Sequence, residues 1–337
     1  MTKRIGIIGA GGWGTAIALI LAKKGHAVTL WARREEYCQQ LERTRENSSY
    51  LPGVLLPSNI VITSCLSRAV ESMDFVVIAT PAKAVRTAVE ALKGFLHKDT
   101  IIVSLSKGLE GKTLLRCSQV IAEVAGNQDR VVVICGPNHA EEVARDIPSA
   151  TVAAGYDLNT AMAVQDVFMT PKFRVYTNSD VIGVELAGAL KNIIALAAGV
   201  CDGLGYGDNT KATLMTRGLA EIARLGIRMG AESVTFAGLA GVGDLIATCT
   251  SKHSRNWQAG FALGQGESLQ DIRGGQVVEG VATTENALIL ATELGVSMPI
   301  TAALREVIFE GKSPHQAVSE LMLRDKTHEI EDIVSGE

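Results

Sequence analysis

Aromatic residues are scarce in this chain of 337 residues: they make up 4% of it, so any core has to be built from Ala, Val, Ile and Leu. There is no basic tail and no block of Lys and Arg, and the formal net charge is −4. That balance argues against a general nucleic-acid-binding or anionic-membrane surface, while leaving room for a small basic pocket that takes a phosphate. No C-x-x-C pair occurs among the six cysteines (Cys38, Cys65, Cys117, Cys135, Cys201 and Cys249). A small disulfide scaffold or a zinc ribbon is therefore unsupported, and no metal site is expected. These cysteines read as reduced, mostly buried thiols of a cytosolic protein. Internal repeats and low-complexity tracts are also missing. What is present is a 47% apolar composition with positive mean hydropathy, far from the signature of disorder. The length suggests two domains.

Three segments imitate targeting or modification signals. The start, Met1-Thr2-Lys3-Arg4-Ile5, resembles the charged end of a signal peptide, but a glycine-punctuated motif follows and export is not expected. Asn47-Ser48-Ser49 matches a glycosylation acceptor, a match without meaning in a cytosolic chain. Residues 182–204 are nearly all apolar, yet carry Glu185, Lys191 and Asp202, with Lys191 near the middle where a charge is costly in lipid. No second such segment exists, so a buried helix and no membrane insertion are expected.

The first half alternates β-rich runs with helical stretches. Strands are predicted near residues 4–9, 27–31, 75–79, 100–104, 131–134, 150–154 and 173–176, and a helix over 14–24. Near-continuous Val/Ile runs without polar alternation suit strands covered on both faces, as in a parallel sheet. After about residue 180 come long Ala/Leu/Gly-rich helical stretches, such as 214–229, 283–294 and 302–309, with no convincing strand. The expected fold is α/β: an N-terminal Rossmann-like doubly wound sheet over residues 1–180, plus a C-terminal all-α domain over 181–337.

Gly9-Ala10-Gly11-Gly12-Trp13-Gly14 lies where the first strand gives way to the first helix. Gly9 permits the tight turn, Gly11 lets the backbone approach a pyrophosphate, Gly14 lets helix pack on strand, and the helix amino end faces the anion. The second strand ends in Ala32-Arg33-Arg34-Glu35-Glu36. Two arginines suit a 2′-phosphate and favour NADP(H) slightly, while Glu35 and Glu36 keep NAD(H) open. Lys107 and Gly136-Pro137-Asn138-His139 each follow a strand, at the sheet edge where open α/β sheets bind ligands.

Lys191 is the most informative single residue. Its neighbours at helical spacing are Ala187, Gly188, Ile194 and Ala195, so its amine must snorkel, pair, or accept a lowered pKa, the last being what a general acid/base at a carbonyl or alcohol requires. Asn192 adds a neutral hydrogen-bonding group beside it. Asp244 and Thr248 are four apart, on one face if helical; Asp244 could hold an ammonium and Thr248 touch a substrate hydroxyl, or Asp244 could simply cap a helix. Ser254-Arg255-Asn256 precedes a helical stretch over 257–263, which makes either a phosphate clamp or an ordinary helix start.

These segments together resemble NAD(P)-dependent glycerol-3-phosphate dehydrogenase of the bacterial cytosolic type, over almost the entire chain. The resemblance rests on residues 9–16, Ser106-Lys107-Gly108-Leu109-Glu110, Cys135-Gly136-Pro137 and residues 184–192. It continues through Ala240-Gly241-Val242-Gly243-Asp244-Leu245, Ser254-Arg255-Asn256 and Gly275-Gln276-Val277-Val278-Glu279-Gly280. It implies reversible reduction of dihydroxyacetone phosphate to sn-glycerol 3-phosphate, supplying the phospholipid backbone, in a cytoplasmic homodimer. By the same resemblance Lys191 is the proton donor/acceptor for the C2 oxygen, and Lys107 binds substrate and cofactor, with Asp244 and Thr248 in support. Ser254, Arg255 and Asn256 hold the phosphate, and Gly136, Asn138 and Asn192 touch substrate. Gly12, Trp13, Arg33, Arg34, Ala140, Arg255, Val277 and Glu279 line the dinucleotide site. Two other readings compete: a related two-domain dehydrogenase acting on a hydroxyacid, and a non-catalytic dinucleotide sensor. Neither requires this phosphate clamp.

Overall fold

In the computed structural model of the chain, which describes residues 1–267, 278–326 and 328–329, the Val/Ile runs of the first half form one eight-stranded sheet. Its strands are β1 (Arg4–Ile8), β2 (Ala27–Trp31), β3 (Ile60–Thr63), β4 (Phe75–Ile78), β5 (Ile101–Ser104), β6 (Val131–Cys135), β7 (Ser149–Gly155) and β8 (Phe173–Asn178). They lie in the order β3-β2-β1-β4-β5-β6-β7-β8. The order reverses between β1 and β4, the switch point beside which doubly wound sheets take their ligands.

Every residue of β4, β5 and β6 is buried, which explains why their sequences show no polar alternation. One apolar layer packs Ile5, Ile7, Leu30, Val77 and Val103 with Ala16, Ile17 and Leu21 of helix Gly12–Lys23. The opposite layer packs Ile8, Val76, Ile78 and Ile102 with Val85 and Val89 of helix Val85–Leu92 and Ile121 of helix Cys117–Ala125. Each fully buried aliphatic side chain contributes roughly 1.5–3 kcal/mol, so the scarcity of aromatics costs the sheet little.

Two details depart from the sequence reading. β3, absent from the predicted strands, is a four-residue edge strand with Val61 exposed, too short to show a period. β7 runs antiparallel to β6, in an otherwise parallel sheet. The return between them carries only the short helix Ala140–Ala144, in place of a full crossover helix. At the far edge β8 alternates cleanly, with Phe173 and Val175 buried and Arg174 and Tyr176 exposed.

The chain divides into two units: Met1–Glu110 with Leu115–Val181, and Gly111–Leu114 with Ile182–Glu337. The sequence reading, which divides the chain once, has no counterpart for the 111–114 excursion. The described residues of the second unit hold seven helices of seven or more residues and no strand. They include Val181–Gly203, Asp208–Arg228, Asp244–Thr250, Arg255–Gly264 and Glu279–Leu294. Helix Val181–Gly203 is long and apolar enough to cross a membrane, but 94% of its most apolar stretch is buried inside the protein. No disulfide joins any of the six cysteines, and only Cys65 is exposed.

Candidate active site

In the first unit, β1 delivers the chain into the glycine turn. Gly9 has φ +122°, and a Cβ there would lie 2.6 Å from the Ala79 carbonyl oxygen, so only glycine fits. Gly14 closes the turn against the Gly9 carbonyl. A Cβ on Gly11 would meet nothing within 4 Å, and Gly11 caps helix Gly12–Lys23 without a side-chain hydrogen bond. This open helix amino end, with its positive dipole and unshielded N–H groups, fits a pyrophosphate. Ala140 lies beside Gly12, and Trp13 packs edge to face on Phe173.

Arg33 and Arg34 are both exposed at the end of β2. The Arg34 guanidinium sits 5.4 Å from the centre of the Tyr37 ring, while Arg33 has no side-chain partner among the described residues. Glu35 is turned back onto Ser64 and Gln39, whose hydrogen bonds hold its carboxyl below the usual range. At the ends of β5 and β6, Lys107 Nζ donates to the Gly136 carbonyl at 3.3 Å. Asn138 Nδ2 donates to the carbonyls of Pro137 and Ala150, leaving its buried Oδ1 without a hydrogen-bond partner among the described residues.

In the second unit, Lys191 is 6% exposed, near the middle of helix Val181–Gly203. Of the three routes open to such an amine it takes pairing: Nζ lies 2.5 Å from Asp244 Oδ1 and 2.5 Å from Thr248 Oγ1. Asp244 is the first residue of helix Asp244–Thr250, with Gly243 as its cap. One turn on, Thr248 donates its hydroxyl proton to the Asp244 carbonyl at 2.6 Å, so toward Lys191 it is an acceptor. Its hydroxyl is thereby engaged in holding the amine. Cys249 is fully buried nearby, and desolvation pushes its thiol up to about 12.

Asn192 and Asn256 extend this set. Asn256 Nδ2 donates to Asn192 Oδ1 at 2.9 Å, and Asn256 Oδ1 accepts from Gly280 N at 2.9 Å. Asn256 is thus a bridge between three helices as well as a neighbour of Arg255. Ser254 Oγ caps helix Arg255–Gly264 by accepting from Trp257 N, and Arg255 opens that helix, exposed. Glu279 opens helix Glu279–Leu294, half-buried; Val277 lies outside the described residues.

Sequence reasoning missed what brings Lys191-Asn192 and Ser254-Arg255-Asn256 together. A Cβ on Gly260 would lie 1.9 Å from the Leu196 carbonyl oxygen, and one on Gly199 2.1 Å from that of Trp257. Gly203 and Gly264 meet in the same way one turn along. Helices Val181–Gly203 and Arg255–Gly264 therefore touch backbone to backbone. The signal was available as a G-x-x-x-G spacing in each segment. Asp202 adds to the junction, accepting from Trp257 Nε1 at 2.7 Å and pairing with Lys211 at 2.8 Å.

Family models describing the N-terminus and the C-terminus of NAD-dependent glycerol-3-phosphate dehydrogenase match residues 4–161 and 180–319. A glycerol-3-phosphate dehydrogenase (NAD(P)+) of Moorella thermoacetica is 54% identical over 333 residues, 98% of this chain and 99% of that protein. The chain belongs to the glycerol-3-phosphate dehydrogenase family. A relative of the same name from Bacillus velezensis is 51% identical, covering 99% of this chain and 98% of its own. The crystal structure of the family member from Coxiella burnetii superposes with a TM-score of 0.92 at 37% identity, over 96% of this chain and 99% of that one. A D-mandelate dehydrogenase solved with NADH reaches 0.64 at 16% identity, covering 95% of this chain and all of that one, a likeness of fold alone.

Proposed function

We propose that the protein catalyses the reversible NAD(P)H-dependent reduction of dihydroxyacetone phosphate to sn-glycerol 3-phosphate, with Lys191 as general acid/base. Family membership supports the reaction. The observation that carries the assignment of roles is the buried Lys191–Asp244–Thr248 contact, linked through Asn192 and Asn256 to the Arg255 helix start.

Bound NAD(P)H supplies the hydride. As negative charge grows on the ketone oxygen, Lys191 donates a proton to it; in the reverse direction it takes the proton of the C2 hydroxyl. Asp244 balances the ammonium charge that burial would otherwise penalise, and Thr248 fixes its direction. Arg255, with the Ser254 hydroxyl, the Asn256 amide and the helix amino end, grips the phosphate. That grip is remote from the reacting carbon and orients the carbonyl. Lys107, Gly136 and Asn138 are assigned to substrate, Lys107 also to cofactor, and the glycine turn, Trp13, Arg33, Arg34, Ala140, Val277 and Glu279 to the dinucleotide. The turned-back Glu35 and partner-free Arg33 support a modest preference for NADP(H). The product supplies glycerophospholipid synthesis, and the same reading carries a cytoplasmic homodimer.

Absorbance of NADPH, followed with dihydroxyacetone phosphate and with 2-oxoacids, tests the substrate. Turnover is expected with the phosphorylated ketone alone, and Arg255→Ala is expected to raise its KM about ten-fold or more. Preferential turnover of a 2-oxoacid would overturn the reading in favour of a hydroxyacid dehydrogenase.

A further inference from the structure

The Asn47 side chain is completely buried, and all four of its hydrogen-bonding positions are used. Its Nδ2 donates to the Ala10 carbonyl at 3.0 Å and to Thr15 Oγ1 at 2.7 Å; its Oδ1 accepts from Tyr37 at 2.5 Å and from Tyr50 N at 3.2 Å. An amide has two donors and two acceptor sites, so none is left over. With its nitrogen enclosed this way, the residue is no glycosylation acceptor in the folded protein.

Ala10 is the second residue of the glycine turn. Across a trans peptide the carbonyl of one residue and the N–H of the next point in opposite directions. Holding the Ala10 carbonyl toward Asn47 therefore turns the Gly11 N–H to the other side, away from the protein interior that Asn47 occupies. Tyr37 connects this amide to the end of β2, since its ring carries the Arg34 guanidinium. Burial raises the Tyr37 phenol to about 12, so at neutral pH it is a hydrogen-bond donor to Asn47.

We propose that Asn47 is a positioning residue for the dinucleotide: it sets the Ala10–Gly11 peptide so that its N–H meets the pyrophosphate. Through Tyr37 it also ties that peptide to the arginine flanking the adenosine ribose. The proposal rests on the reading of residues 9–14 as a pyrophosphate cradle.

Calorimetric titration of the full-length protein with NADPH and with adenosine 2′-monophosphate, which lacks the pyrophosphate, separates the possibilities. Two variants are compared with wild type. Asn47→Ala removes all four bonds; Asn47→Asp is nearly isosteric, keeps both acceptor bonds and, as the carboxylate, cannot donate to the Ala10 carbonyl. The expected result is a rise of about ten-fold or more in the Kd for NADPH in both, the loss of one buried donor with its partner left in place. In Asn47→Asp, which keeps the Tyr37 bond, the Kd for adenosine 2′-monophosphate should stay near wild type, as should the KM for dihydroxyacetone phosphate at saturating NADPH. If Asn47→Ala does not fold, Asn47→Asp carries the comparison. Unchanged NADPH affinity in Asn47→Asp, or equal weakening of both nucleotides, overturns the proposal. Wild-type protein that binds no NADPH would instead remove the underlying reading of the turn.

Discussion

The Lys191 ammonium lies 2.5 Å from an Asp244 carboxylate oxygen, with the two side chains 8% and 2% exposed. Removing one member of such a pair strands a buried charge, at a cost of about 3–5 kcal/mol, whereas replacing both with apolar groups of similar volume is often neutral. Asp244→Leu alone is therefore expected to melt well below wild type, and Lys191→Met with Asp244→Leu close to it. Both should be inactive. Thermal melts beside NADPH oxidation read the two effects separately. Lys191→Ala is expected to lower kcat by about 10²–10⁴ with the Kd for NADPH preserved, and unchanged turnover would remove Lys191 from the chemistry.

Gly260 against Leu196 gives a second expectation. A methyl group there has no room without separating two helices, so Gly260→Ala is expected to cost about 1–3 kcal/mol or more. Because the displaced helix begins at Arg255, the KM for the phosphorylated substrate should rise more than kcat falls. Gly94→Ala, where a Cβ meets nothing within 4 Å, serves as the control and should behave as wild type.

Cofactor choice is testable at the end of β2. Arg33→Ala is expected to lower kcat/KM for NADPH about ten-fold while leaving that for NADH nearly unchanged, the loss of one charge-assisted contact to a phosphate. A parallel fall with both cofactors would show that the residue does not read the 2′-phosphate.

Glu221 predicts a pH effect on stability unrelated to catalysis. It is 1% exposed on helix Asp208–Arg228 and accepts from Ile300 N, Thr301 N and Thr301 Oγ1, at the amino end of helix Pro299–Phe309. Burial pushes its carboxyl up from the ordinary value, outweighing the donors that oppose it. A carboxyl with a raised native pKa holds its proton to higher pH in the folded chain than in the unfolded one. Its contribution to stability is thus greatest below the unfolded value and falls as pH rises through the native one. Glu221→Gln should be less stable throughout, one backbone N–H now facing an amide donor, but should lose this part of the slope. Melting curves between about pH 4 and pH 8 for both proteins check it.

The parts of the fold written locally were legible. The Val/Ile runs lie in buried strands, and Gly9 to Gly14 carry their turn in their own spacing. Lys191 stands out because a charge interrupts an apolar stretch. What was not legible depends on partners distant in sequence. Asn256 lies 64 positions from Asn192, and Asn47 lies 37 from Ala10. Nothing adjacent to Asn47 distinguishes a buried amide from a surface acceptor. β3 is too short to declare itself, and the direction of β7 follows from the length of the return before it.

The direct backbone contact between helices Val181–Gly203 and Arg255–Gly264 fixes a distance by main-chain dimensions alone. Side chains elsewhere in the helical unit can drift in size without changing that separation. On the roles proposed for Lys191 and Arg255, the two are in effect mounted on one stiff jaw, whose gauge would set the reach between ketone and phosphate. Homologous three-carbon phosphates should be accepted, and chains one carbon longer refused, whatever the surrounding aliphatic packing becomes.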